Sequence, residues 1–230
     1  MSVTLRIDGS VATITLDDGK ANAIGLDLLA ELDDAVATAA KDATALVIAG
    51  RPGRFSAGFD LAAMTASTAS MRKLVIAGAE SLLRIFTTPI PVVAACTGHA
   101  LAAGALLLLV ADRRIGADGP FKIGLNEVAI GMPLPTFGVE LARYRMPPSA
   151  FDGAILGETM EPAAAVAAGY LDRVVAADDV LGAAAAEAER LSALRRGAVD
   201  GTKQRARGEL VERVLAGLVD DMNTVTVPSP

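Results

Sequence analysis

Three short stretches set residues with almost no side-chain bulk beside residues able to hold or move charge. In Phe55-Ser56-Ala57-Gly58-Phe59-Asp60-Leu61, Gly58 allows a sharp turn that presents the next amide, that of Phe59. Gly98 to Asp112 joins a strand-like run to a buried helix through Ala102, Ala103 and Gly104. A helix start with free N–H groups is suited to holding a developing negative charge. Two such amides from separate loops make an oxyanion hole, in which each donor typically stabilises the transition state by about 2.7–4 kcal/mol. The third stretch, Ile123-Gly124-Leu125-Asn126-Glu127-Val128-Ala129-Ile130-Gly131, carries Glu127 inside an apolar segment. Burial there raises a carboxyl pKa and suits it to taking and returning a proton. The residues alone favour a second reading, in which Asn126 and Glu127 cap a neighbouring helix or meet an arginine.

The composition narrows the chemistry. Of 230 residues, 52% are apolar and 21% charged, enough for one packed core with an appendage. A net charge of −6, with no basic run, argues against nucleic acid as a partner. Cys96 is the single cysteine, which excludes an intramolecular disulfide and fits a reducing compartment. His99 is the single histidine, so a Cys/His zinc site or a Ser-His-Asp triad would depend on one imidazole, and no metal site is expected. Met1 to Asp8 lacks the basic and apolar regions of a secretory signal, and the apolar run Ala100 to Ala111 is too short to span a bilayer. The expectation is a cytoplasmic protein without a membrane partner.

The elements that must position these stretches follow from periodicity. Val3 to Ile7 and Val11 to Leu16 alternate around Asp8-Gly9-Ser10 and predict a hairpin. Leu26, Leu29, Leu32, Val36 and Ala39 predict an amphipathic helix over 25–41. Ala45 to Gly50 reads as a buried strand, Arg51 to Asp60 as a loop, Leu61 to Met64 as a helical turn and Ser70 to Thr87 as a helix. Strands are expected at Val92 to Cys96, Arg113 to Ala117 and Leu171 to Val175, with Phe121 to Ile130 extended but broken. The remainder from Thr136 is mainly helical, with two alanine-rich helices at about 180–196 and 199–222 that need burial against the core or another subunit. Strands separated by helices imply an α/β fold.

In their order and spacing, Phe55 to Leu61, Gly98 to Asp112 and Gly124 to Pro133 resemble the crotonase family, the enoyl-CoA hydratase/isomerase superfamily. The resemblance covers residues 1–175 and implies a spiral of ββα units carrying an acyl-CoA site, followed over 176–230 by a helical region that mediates trimers or hexamers. It implies an acyl-CoA substrate, coenzyme A being carried by that substrate, with no separate cofactor. The thioester oxygen is expected to meet the amides of Phe59 and Ala103. Substrate contacts carry over to Lys20, Ala21, Asn22, Ala23 and Ile24, to Ala57, Gly58, Asp60 and Leu61, and to Gly104 and Leu106. A basic residue that some members have just after the Asp of the loop is absent, since Ala62 and Ala63 stand there.

Hydratases of the family use two glutamates, one on the buried helix and one in the later segment. Here Leu106 occupies the first position and Glu127 matches the second. The pattern resembles the Δ3,Δ2-enoyl-CoA isomerase branch, which has an apolar residue at the first position and an Ile-Gly-Leu-Asn-Glu segment. The resemblance implies that Glu127 shuttles a proton from C2 to C4 of a 3-enoyl thioester. Two alternatives stay open: a hydratase that orients water with another group, and an acyl-CoA binder without chemistry. Among the other polar residues, His99 and Cys96 are read as structural, Asp112 as binding backbone or Arg113, Asp60 as a helix cap or coenzyme A contact, and Asn126 as a partner of Glu127.

Overall fold

The alternation around Asp8-Gly9-Ser10 folds into an antiparallel pair, β1 (Val3–Asp8) and β2 (Val11–Leu16), with Leu5 opposite Ile14. The computed structural model describes residues 2–226. From β2 onward a long strand, one or two very short strands and a helix recur in turn. The first unit adds β3 (Ala23–Ile24) and α1 (Leu26–Asp42). The second runs through β4 (Ala45–Gly50), β5 (Gly53–Ser56), β6 (Gly58–Phe59), α2 (Leu61–Ala66) and α3 (Thr68–Thr87). The third is β7 (Val92–Cys96), β8 (Gly98–Leu101) and α4 (Ala103–Val110). The fourth begins with β9 (Arg113–Ala117) and β10 (Ile123–Gly124), and after a 3-10 turn at Val128–Ile130 reaches α5 (Thr136–Arg145). Then come α6 (Pro148–Ile155), α7 (Pro162–Ala168), β11 (Arg173–Val175), α8 (Val180–Ser192) and α9 (Arg196–Thr224).

The long strands form one sheet in the order β1-β2-β4-β7-β9-β11, parallel except for the first pair. Successive side chains of a strand point to opposite faces, and here each face has its own core. Leu46, Ile48, Ala94 and Cys96 join the main core with α1, α3 and α4, whereas Val47, Ala49, Val93 and Ala95 pack against Val180, Ala184, Ala188 and Leu191 of α8. That double burial explains why β4 and β7 read as continuous apolar runs.

The short strands pair among themselves as β10-β8-β5 and β3-β6. The stretch expected to be a loop, Arg51 to Asp60, therefore contains two strands, because β5 and β6 pair with residues distant in sequence. Conversely, Phe121 to Ile130 is extended only at Ile123–Gly124 before it turns.

The C-terminal helices cover this chain's own core, α8 on the sheet and α9 along α3 and α5. The 3.6-residue spacing of Val214, Leu218 and Met222 gives α9 its buried stripe. An ionic cluster fixes its first half. Lys203 Nζ lies 2.6 Å and Arg207 2.8 Å from the Asp112 carboxylate, and Lys203 also donates to the Thr88 and Ile90 carbonyls. Asp112 accepts from the Val92 amide as expected, but its cationic partners are Lys203 and Arg207; Arg113 pairs with Glu187 instead. Burial opposes the Asp112 charge, and the two cations outweigh it, holding the carboxyl below the usual range. Removing one member of a buried cluster leaves uncompensated charge. Asp112→Asn is therefore expected to lower unfolding free energy by about 3–5 kcal/mol, measured by urea denaturation.

Candidate functional site

At the N-terminal end of α4 the backbone of three elements comes together without intervening side chains. Gly58 has φ +93, and a Cβ there would lie 2.8 Å from Ala102 Cβ and 2.9 Å from the Leu101 carbonyl oxygen. A Cβ on Gly104 would lie 2.8 Å from Ser56 Cβ. Glycine at both positions lets β5 and β6 rest directly on the helix start. The Asp60 amide donates to the Ile24 carbonyl at 2.9 Å. Successive amides of an extended chain face opposite sides, so the Phe59 amide is turned away from β3. The Phe59 ring packs on Gly78 of α3.

Ala102 caps α4 with φ +48 and ψ −123, a conformation that belongs to the first central residue of a type II′ turn and is normally left to glycine. A non-glycine residue held there costs on the order of 1–3 kcal/mol. The unusual ψ sets the orientation of the Ala102–Ala103 peptide and hence of the Ala103 amide. The amides of Ala105 and Leu106 donate to the Ala102 carbonyl, while those of Ala103 and Gly104 stand at the helix start, where no intrahelical acceptor exists. Nothing in the sequence distinguishes Ala102 from its neighbours, and its strain appears only in the fold.

This junction forms part of the wall of a cavity of about 410 Å³. Ala21, Ala23, Ala57, Phe59, Asp60, Leu61, Leu106 and Glu127 of the expected site line it, together with Ala102 and Asn126. Ala103 and Gly104 are buried directly behind Ala102, and Gly58 lies under it. Lys20 is exposed outside, Ile24 is buried, and Asn22 is committed to the framework. The Asn22 amide group donates to the Leu16, Arg54 and Phe55 carbonyls, and its oxygen accepts from the Asp18 amide, tying the first turn to β5. Asp60 caps α2 through the Ala62 amide at 3.0 Å.

Glu127 is the one carboxylate besides Asp60 on a wall built largely from Met64, Met71, Val75, Leu106, Met132 and Phe137. Its Oε2 is buried without a hydrogen-bond partner, as is Oδ1 of Asn126. The capping and arginine-pairing reading of these two side chains is not what the fold builds. Burial pushes the Glu127 carboxyl up from 4.5 to about 7. Leu106, one turn into α4, is buried and faces the same cavity.

Met222 and Val225, at the end of α9 and just beyond it, close the cavity. Arg72 of α3 holds that end by donating to the Asn223 and Val225 carbonyls. Residues from 1–175 and from 176–230 thus share one cavity; residues 227–230 lie outside the described part. The apolar spacing of α9 marks its buried stripe but not what the stripe covers, so these two residues were not legible as part of a site.

His99 and Cys96 are structural, as read from the sequence. His99 Nδ1 accepts from the Lys122 amide and the ring packs edge-on to Phe121, while burial pushes the Cys96 thiol up to about 12. A roomier groove of about 920 Å³ lies between β1–β2 and α8, lined by Thr4, Arg6, Ser10 and Glu189, and gathers no group poised for chemistry. Among the described residues no cluster of three metal-ligating side chains occurs, and no helix is long and apolar enough to cross a membrane.

A family model described as enoyl-CoA hydratase/isomerase matches residues 6–218. The probable enoyl-CoA hydratase echA8 of Mycobacterium leprae is 31% identical over 95% of this chain and 86% of its own length. Human mitochondrial enoyl-CoA delta isomerase 1 is 32% identical over 74% of this chain and 58% of its own. Among solved structures, an enoyl-CoA hydratase/isomerase family protein from Pseudomonas syringae superposes with a TM-score of 0.94 at 42% identity, covering 96% of this chain and 97% of that one. Human mitochondrial delta3-delta2-enoyl-CoA isomerase does so with 0.92 at 28% identity, covering 97% and 90%.

The raised Glu127 pKa also bears on stability. The folded state holds this proton more tightly than the unfolded chain does, so its contribution is complete below pH 4.5 and is lost as pH rises through about 7. Glu127→Gln, which cannot ionise, is expected to match the native protein at pH 4. At pH 8 it should exceed it by up to about 3 kcal/mol in urea unfolding, the equivalent of the shift.

Proposed function

The chain belongs to the enoyl-CoA hydratase/isomerase family, and from that premise we propose that it moves the double bond of a 3-enoyl-CoA thioester to the 2 position. The observation that carries this reading is one buried, partnerless carboxylate, Glu127, set in an apolar cavity that Leu106 also lines. Hydration requires a water to be held and deprotonated while a proton is supplied. A double-bond shift requires one base that gives back what it takes.

In the proposed reaction the Glu127 carboxylate removes a proton from C2. The C2–H electron pair conjugates through the thioester, and the charge gathers on its oxygen. The amides of Phe59 and Ala103 are the proposed donors to that oxygen, which is the kind of preorganised stabilisation that needs no reorganisation during the reaction. The protonated carboxyl then returns the proton at C4 as the double bond forms between C2 and C3, so atoms and charge balance. A carboxyl titrating near 7 suits both halves, being ionised enough to accept and acidic enough to return. The acyl chain would run along Met64, Met71, Val75 and Met222, whose unbranched, polarisable side chains adapt to a flexible ligand. In the proposal coenzyme A enters with the substrate, and assembly as a homotrimer or hexamer in the cytoplasm completes the reading.

One observation favours a second reading, hydration. Asn126 Oδ1 and Glu127 Oε2 are two unpartnered buried acceptors, and a water molecule has two protons to give. Crotonyl-CoA separates the two readings, since it offers a 2-enoyl bond for hydration and no double bond to be moved into that position.

Glu127→Gln is expected to lower 3-enoyl-CoA turnover by at least about 100-fold, the usual contribution of a positioned acid/base group. Native kcat/KM should fall as pH drops below about 7, because the base becomes protonated. Undiminished turnover in the variant, or water addition to crotonyl-CoA outpacing isomerisation in the native protein, would sink the proposal. Gly58→Ala forces the Phe59 strand away from α4. It should cost about 100- to 1,000-fold in kcat, as loss of one oxyanion donor does, while circular dichroism reports an intact fold.

A further inference from the structure

The Glu127 segment leaves its sheet two residues before the carboxylate. β10 is held on one side by β8, with Gly124 opposite Leu101, and on the other by paired hydrogen bonds between Ile123 and Met160. The Gly124 carbonyl accepts from the Ala102 amide at 3.0 Å, which bonds the base segment to the start of α4. Beyond Gly124 neither ladder continues, and the next amide, that of Leu125, is buried. An unpaired amide in that place would be costly.

Its acceptor is the phenol of Tyr170, at 3.2 Å. Tyr170 is completely buried, forms no part of the cavity wall and has no role in the proposed reaction. Its own position is set by the end of α7. Gly169 turns left-handed, and the amides of Tyr170 and Leu171 both donate to the Ala165 carbonyl. Burial keeps the phenol protonated, and the carboxylates of Glu127 and Glu158 push it in the same direction, so the hydroxyl feels the charge of the base. Accepting from Leu125 leaves its O–H free to donate.

We infer that Tyr170 is a positioning residue for Glu127: its hydroxyl takes the Leu125 amide and fixes the path by which the chain delivers the carboxylate to the cavity beside Ala102. The inference rests on Glu127 being the base. Leu125 is buried in the main core and Met132 packs against it, but the segment's other backbone hydrogen bonds lie within its own turn, in which the Ile130 amide donates to the Asn126 and Glu127 carbonyls and the Met132 amide to the Glu127 carbonyl. These shape the loop, whereas the Tyr170 hydrogen bond ties it to the body of the protein just before the base.

The test uses the intact chain. Tyr170→Phe keeps the ring and removes the acceptor. It is expected to lower kcat about tenfold, with KM changed less than about twofold, because misplacing a reacting group by a fraction of an ångström is paid at the transition state. The acid limb of the pH profile should move by about half a unit or more, as the local field on Glu127 changes. A merely structural tyrosine would lower the melting temperature and leave the pH limb in place. A second measurement is independent of how well that variant folds. The chain has two tyrosines, so fluorotyrosine in a Tyr144→Phe background reports on residue 170 alone. Its fluorine resonance should titrate with a midpoint near that of the acid limb, and the titration should vanish in Glu127→Gln. Native kcat and pH limb in a folded Tyr170→Phe, or a resonance blind to Glu127, overturns the inference. Full turnover in Glu127→Gln instead overturns the reading of Glu127 as base, so the two failures are distinguishable.

Discussion

The absence of two side chains, at Gly58 and Gly104, is the constraint on which the rest depends. Because neither carries a Cβ, β5 and β6 lie directly against the first turn of α4, and strained Ala102 closes the gap. Van der Waals repulsion is steep enough that one methyl group at either position would force the elements apart. Other features of the site support that contact. Asn22 ties the first turn to β5, the Ala102 amide ties α4 to β10, and α5 packs on Leu106 at Gly138. Backbone amides at a helix start thereby come to lie beside the cavity in a chain with one histidine and a single buried cysteine.

Around that rigid junction the chain builds an apolar cavity and sets the Glu127 carboxyl in its wall. The desolvation that makes Glu127 a stronger base also makes its ionised form expensive, a cost borne by the surrounding core of β-sheet, α3 and α4. The far wall comes from the end of the chain. Asp112, Lys203 and Arg207 clamp the first half of α9 at the back of α4, and Arg72 clamps its end at the mouth of the cavity. Lys203 also holds the Thr88 and Ile90 carbonyls, so the same ammonium anchors the turn between α3 and β7. The helix that closes the cavity is thus fixed in its first half by ion pairs, at its end by hydrogen bonds from Arg72, and between them by Val214 and Leu218.

Much of this was legible in the residues. Long strands and helices announced themselves by period, Phe59 and Glu127 stood out by type and spacing, and Leu106 only through the family resemblance. What escaped were the short strands β3, β5, β6 and β8, since two to four residues are too few for a period and pair only with partners far away in sequence. Asp112 was recognised as structural, yet its cations sit 91 and 95 positions later, where no local pattern connects them. Tyr170 gave no signal at all, because a tyrosine after a short helix is ordinary until its hydroxyl is seen against Leu125.

The sequence by itself narrowed the kinds of chemistry open to this protein: it has no second cysteine for an intramolecular disulfide, leaves any zinc site or triad to one imidazole, and sets one glutamate within an apolar segment that follows two glycine-bearing turns. Composition and local spacing carry that information because propensity, periodicity and backbone freedom act over a few residues. The tertiary structure decided the rest. The strain at Ala102, the partnerless Oε2 of Glu127, the closing wall from α9 and the anchor at Tyr170 all depend on segments separated by tens of residues or more meeting within a few ångströms. Steric exclusion and the burial of charge act through space and not along the chain, so only the fold could set them.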